Sequence, residues 1–107
     1  MKNLKDIIQE RLHINKDISN YYNYHPKTKE ELKELVNKLI KERGNDADLN
    51  DIDTSKITDM SYMFYDSKFN GDISNWDVSK VEDMQFMFYG SSLEKNPPKW
   101  YKLMNSL

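Results

Sequence analysis

Carboxylates are the residues of this chain best suited to chemistry. They pair at Asp46/Asp48 and Glu82/Asp83, as acid–base catalysis or divalent-cation binding would require. A working acid–base pair needs two different environments to split its pKa values, and the flanking residues supply no such difference. The stretch Asp46-Ala-Asp-Leu-Asn-Asp begins as a calcium loop would, but lacks the glycine and the distal glutamate at the required spacing. His13 and His25 have no acidic or serine partner at motif spacing and no third ligand. Cysteine is absent, which removes thiolate chemistry; there is no Gly-x-Ser-x-Gly, and three glycines cannot build a phosphate cradle. The expectation is a chain with no catalytic residue, no cofactor and no metal.

A structural use for the aspartates comes first, because Asp accepts backbone N–H bonds in turns and at helix starts. Asp59 and Asp83, just ahead of two Met-containing segments, are expected to cap them. Asp51, Asp53, Asn75 and Asp77 are expected on strands, in a solvent-facing row alternating with inward Ile52 and Trp76, where a partner would bind. Tyr65 and Tyr89, at the ends of the Met-containing segments, complete the candidate partner-binding residues.

These positions recur because the chain repeats. Asp53 to Phe69 aligns without gaps to Asp77 to Leu93 at an offset of 24, with nine of seventeen positions identical. Leu49 pairs with Ile73 and Ile52 with Trp76; Trp100 lies another 24 residues on, so a third unit begins and is broken off at Pro97-Pro98. A period in the twenties marks units that bury their apolar face only by stacking, and two units are fewer than the roughly three usually needed. Short strands are expected at 51–54 and 75–78. A helical or tight-turn return would then carry Met60, Met63 and Phe64, or Met84, Met87 and Phe88, inward.

The missing neighbours must come from the ends. Thr28-Lys-Glu-Glu31 fits a capping box; Leu32, Leu35, Val36, Leu39 and Ile40 follow at helical spacing, and Gly44 stands where a left-handed residue ends a helix. A helix is therefore expected over 29–43, its apolar stripe covering the first repeat. Leu4, Ile7, Ile8 and Leu12 predict a shorter helix over 3–13, joined by a connector, 14–27, whose Tyr21, Tyr22 and Tyr24 would pack over the helices. The fold class expected is α/β: one domain with a helical N-terminal cap (1–44), two repeats forming a short leucine-rich-like solenoid (45–94), and a C-terminal cap (95–107).

The chain has 107 residues, 37% hydrophobic and 32% charged, enough for one small core in which Met, Tyr, Phe and Trp supply much of the bulk. Charge is uneven: residues 1–44 hold ten Lys or Arg against seven Asp or Glu, whereas residues 45–94 hold three Lys against eleven acids. Nucleic-acid binding lacks its basic footprint. Charges at Lys5, Asp6, Glu10 and Arg11 interrupt the N-terminal apolar residues and no run reaches membrane-span length, so the expectation is a cytoplasmic protein with no membrane contact. Oligomeric state has no signature in the sequence.

The strings Gly71-Asp-Ile-Ser-Asn-Trp-Asp-Val-Ser-Lys-Val-Glu-Asp-Met84 and Met-Phe-Tyr at 63–65 and 87–89 resemble the BspA-like leucine-rich repeats of bacterial surface proteins, including a mycoplasma lipoprotein type. The likeness covers residues 49–100. It implies a solenoid that binds protein or another ligand. Together these readings point to a non-catalytic protein-binding module presenting an acidic face to a basic partner. The alternatives are an anti-CRISPR-like counter-defence inhibitor, whose acidic surface would copy phosphate charge in a nucleic-acid-handling enzyme, and a surface adhesin fragment.

Overall fold

A computed structural model of the chain describes residues 21–105; the helix expected over 3–13 lies outside the described residues. Helix α1 spans Lys29–Arg43 and ends as its sequence dictates. Thr28 Oγ1 accepts the Glu31 N–H at 3.1 Å, and Gly44, at φ +97°, donates its own N–H to the Ile40 carbonyl at 2.7 Å. Glu30 and Glu31 in the first turn and Lys41 and Arg43 in the last complement the helix dipole. Leu32, Val36 and Leu39 are buried, with Leu35 and Ile40 partly so, and the stripe packs into one core with both repeats.

The two copies lie side by side in register. Parallel bridges join Asp48 to Asp72 and Asp59 to Asp83, each at the 24-residue offset. Between them, the N–H groups of Met60, Tyr62, Phe64 and Asp66 donate to the carbonyls of Asp83, Gln85, Met87 and Tyr89, at 2.8–3.0 Å. The intervening N–H groups turn back on their own copy: Met63 to the Met60 carbonyl, Tyr65 to Tyr62, and in the second copy Met87 to Met84 and Tyr89 to Phe86. Every second N–H thus points to the neighbouring copy, and the rest close tight turns.

This backbone needs left-handed residues. Tyr62 and Phe86, at φ +60° and +55°, occupy equivalent positions, as do Asp66 and Gly90 at +53° and +71°. For residues with a Cβ the conformation costs about 1–2 kcal/mol each. The four inter-copy hydrogen bonds and the buried Met60, Met63, Phe64, Met87 and Phe88 hold it in place.

The strands expected at 51–54 and 75–78 do not form. The described residues make a compact unit of two helices with isolated bridges only, and neither a sheet nor a solenoid is built. Asp and Ser side chains here offer the backbone an alternative to a ladder. Turns close at Ile57 N to Thr54 O, Trp76 N to Ile73 O and Val81 N to Val78 O, so no segment stays extended long enough to pair. The return segments are turns, not helices. The connector does more than pack: Asn23 N donates to Asp51 O and Asp53 N to Tyr24 O, so residues 23–24 pair with the first copy.

Indole hydrogen bonds repeat with the period. Trp76 Nε1 donates to the Leu49 carbonyl at 3.0 Å, and Trp100 Nε1 to the Ile73 carbonyl at 2.9 Å, the same contact 24 residues on. Phe64 stacks on Phe69 and Phe88, and Phe88 meets Trp100 and Tyr101. Trp100 therefore occupies the tryptophan place of a third unit. Pro97 and Pro98 lead directly into helix α2, Lys99–Asn105, which ends the repeat.

Two substitutions check this packing. Trp76→Phe leaves the Leu49 carbonyl with only the long 3.4 Å bond from Ile52 N and should cost about 1–3 kcal/mol in urea unfolding. Gly71→Ala should be worse, because a Cβ there collides with the Ala47 carbonyl and stands 2.6 Å from Phe69 Cζ. It breaks the Asp72 N to Ala47 O bond that ties the copies together, and wild-type stability in either variant contradicts the packing described.

Candidate partner-binding surface

Six aspartates, at three positions in each copy, do the same local work. Asp48, Asp53 and Asp59 accept the N–H of Asn50, Ser55 and Ser61, and Asp72, Asp77 and Asp83 accept those of Ser74, Ser79 and Gln85, all at 2.8–3.0 Å. Each carboxylate closes a turn two residues on. Asp59 and Asp83 do so at the start of the Met-containing segments, as their sequence position suggests. The acidity of the repeats is thus largely turn chemistry.

The candidate residues separate into two groups. Asp51 is held by Arg43 through two 3.0 Å bonds and by Asn23 Nδ2 at 2.8 Å. The Arg43 hydrogen bonds keep the Asp51 carboxyl below the usual carboxylate range against the opposing effect of burial, and Asp51 raises Arg43 in turn. Asp53 is pushed up by burial, but bonds from Ser55 and from His25, whose Nδ1 is 3.4 Å away, outweigh that and lower it. Asp53 and Asp77 both raise the Tyr22 hydroxyl, after the larger effect of its burial. Asn75 is exposed and gives its N–H to Asn50 Oδ1 at 2.9 Å; with Asp51, Arg43 and Asp72 it lines a shallow hollow of about 320 Å³. Asp51 and Asp53 are therefore engaged by neighbouring side chains, not free in a solvent-facing row.

Tyr65 and Tyr89 form the other group and come together, ring centroids 5.7 Å apart and 14° from parallel. Tyr62 and Phe86, which the sequence reading passed over, join them: Tyr62 lies 5.5 Å from Tyr65 and 5.4 Å from Phe86, and Phe86 lies 5.8 Å from Tyr89. The four rings are 42–55% exposed and border a depression of about 250 Å³. Their signal in the sequence was an aromatic at the same repeat position in both copies, masked because one is Tyr and the other Phe. Lys29 of α1 reaches this surface, its Nζ 2.9 Å from Ser61 Oγ, 4.0 Å from Asp59 and 5.7 Å from the Tyr62 centroid. Lys33, one turn on, donates to the Met63 carbonyl; burial, then Lys29, lowers its pKa.

Residues 30–104 match the family described as Mycoplasma protein of unknown function, DUF285. The chain belongs to this family. The family's span takes in nearly all of α1, both copies, Trp100 and most of α2, so the surface aromatic quartet lies wholly within it. No curated protein and no solved structure matches the chain. Among the described residues, no three His, Asp, Glu or Cys side chains converge to hold a metal ion, and no helix is long and apolar enough to cross a membrane.

The turn aspartates make stability depend on acid. Bonds from Ser61 and Ser74 lower the Asp59 and Asp72 carboxyls in the folded chain, as Arg43 lowers Asp51. A carboxyl lowered on folding contributes stability that is fully present above its unfolded value, about 3.9, and is lost as pH falls through its folded value. Urea midpoints should be flat above about pH 5 and fall below about pH 4, with a shallower fall in an Asp59→Asn/Asp72→Asn double variant. A midpoint that rises on acidification reverses this sign.

Proposed function

We propose that this chain is a non-catalytic protein-binding module that engages a partner with a basic surface through the exposed aromatic quartet and the acids around it. The observation carrying this reading is the quartet itself. Large rings are kept out of the core at equivalent positions of two copies, two of them, Tyr62 and Phe86, on a left-handed backbone that costs free energy to hold. Such a patch, small, aromatic and rimmed by polar groups, is what interfaces concentrate. We take the repeat itself to be of the BspA-like leucine-rich kind, reduced to two units and closed by a helix at each end.

The acids suit a basic partner. Asp66, Glu82, Asp83 and Glu94 are exposed in or beside the segments that carry the rings, and complementary charge orients and speeds encounter. Catalysis has less support. Each described carboxyl whose titration departs from the ordinary value is lowered, whereas a general acid at neutral pH must be raised.

The test uses the immobilised chain and a bacterial extract. Proteins retained by the wild type should be lost from a Tyr65→Ala/Tyr89→Ala variant, since interface aromatics commonly account for 2 kcal/mol or more, roughly thirty-fold in affinity. The same substitutions at exposed positions should move unfolding stability by only about 0.5–1 kcal/mol. Identical retention by both proteins ends the proposal.

A further inference from the structure

Two ends of the aromatic quartet differ in what accompanies the rings. At the Tyr62 end the chain builds a three-part contact of its own: the Lys29 ammonium stands 5.7 Å from the ring centroid and 4.0 Å from the Asp59 carboxylate. At the Tyr65 end the first two parts recur. Tyr65 and Tyr89 present faces within 14° of parallel, and the next residue, Asp66, carries a carboxylate. That carboxylate leans over Gly90, the residue after Tyr89, into space that any side chain at 90 would occupy. Among the described residues Asp66 makes no ion pair, and it is exposed. The cation is the part that the described residues do not supply.

We infer that Tyr65, Tyr89 and Asp66 form a binding site for an arginine side chain of the partner, the guanidinium packed against the stacked pair of rings and hydrogen-bonded to the Asp66 carboxylate. This rests on the reading of the chain as a binding module and names the chemistry its partner brings. Arginine fits better than lysine for two reasons. A planar guanidinium can continue the Tyr65–Tyr89 stack on an exposed ring face, and its forked N–H groups meet a carboxylate while it stacks. Gly90 acts as a positioning residue, because only a position without a side chain leaves room for the Asp66 carboxylate over the backbone that follows Tyr89. Asp66 itself suits its φ of +53°, a conformation that Asp and Asn adopt more readily than other residues with side chains.

The experiment titrates the full chain with a short Gly-Ser peptide carrying one central arginine, following the Tyr ring resonances by NMR. Companion peptides carry citrulline, which has the same shape without charge, or lysine. The arginine peptide should shift Tyr65 and Tyr89 and bind about ten-fold more tightly than the citrulline peptide, with lysine between. Asp66→Asn should weaken it about five- to ten-fold, because Asn keeps the backbone conformation and loses the charge. Asp46→Asn, which makes the same change in net charge elsewhere on the surface, should leave it unaltered. Equal binding of arginine and citrulline, tighter binding of lysine, or equal weakening by Asp46→Asn and Asp66→Asn each overturns the inference. The two readings fail separately. Partner retention that is lost in Tyr65→Ala/Tyr89→Ala but untouched by Asp66→Asn overturns the arginine site and leaves the module standing; retention untouched by both overturns the module.

Discussion

The row of main-chain bonds from Met60, Tyr62, Phe64 and Asp66 into Asp83, Gln85, Met87 and Tyr89 is the constraint on which the rest depends. It has a direction, since the four N–H groups of the first copy in this row all point toward carbonyls of the second. Such a row has a carbonyl end and an N–H end, as a helix does. The chain treats both ends as a helix would be treated. Lys33 donates to the Met63 carbonyl on the first copy's outer side, and Glu94 Oε2 accepts the Gly90 N–H of the second copy at 2.6 Å. Cation at the carbonyl end and carboxylate at the N–H end both stabilise the stack.

Side-chain placement follows from that row. The turns along that row send Met60, Met63 and Phe64 inward and Tyr62 and Tyr65 outward, and the second copy likewise buries Met87 and Phe88 and exposes Phe86 and Tyr89. Because the copies are locked by main-chain bonds, equivalent side chains come to lie one beside the other: Phe64 with Phe88 inside at 5.6 Å, Tyr65 with Tyr89 outside at 5.7 Å. The inner stack stabilises the core and the outer stack makes a surface. One backbone device thus sets both stability and the candidate site. The exposed rings are positioned by bonded backbone and by one another, an arrangement that lowers the entropy cost of binding.

Ends are the other requirement of a two-unit stack. The α1 stripe covers the first copy, with residues 23–24 bonded along it, and Trp100 with α2 covers the second. Arg43, at the foot of α1, ties the helix to Asp51 and to the Asp48 carbonyl, so the cap is pinned by polar contacts as well as by apolar area. Capping of this kind is how a short array can fold with fewer units than usual.

Local rules made much of this legible in the sequence. The capping box at Thr28, Gly44 at positive φ, the 24-residue register, the place of Trp100 and the capping role of Asp59 and Asp83 each follow from a few neighbouring residues or from self-similarity. The expected strands failed because an alternating apolar pattern cannot reveal that Asp and Ser side chains will close a turn every few residues. The acidic row likewise overlooked partners that only folding brings near, Arg43 and Asn23 at Asp51 and His25 at Asp53. Tyr65 and Tyr89 were recognisable as repeated aromatics, but their union with Tyr62 and Phe86 was not. By itself the sequence determined the period, the long helix and which residues close turns, since these rest on contacts between near neighbours. Which face carries exposed rings and which acids remain unpaired was decided by tertiary structure, because both depend on groups brought together across copies 24 residues apart.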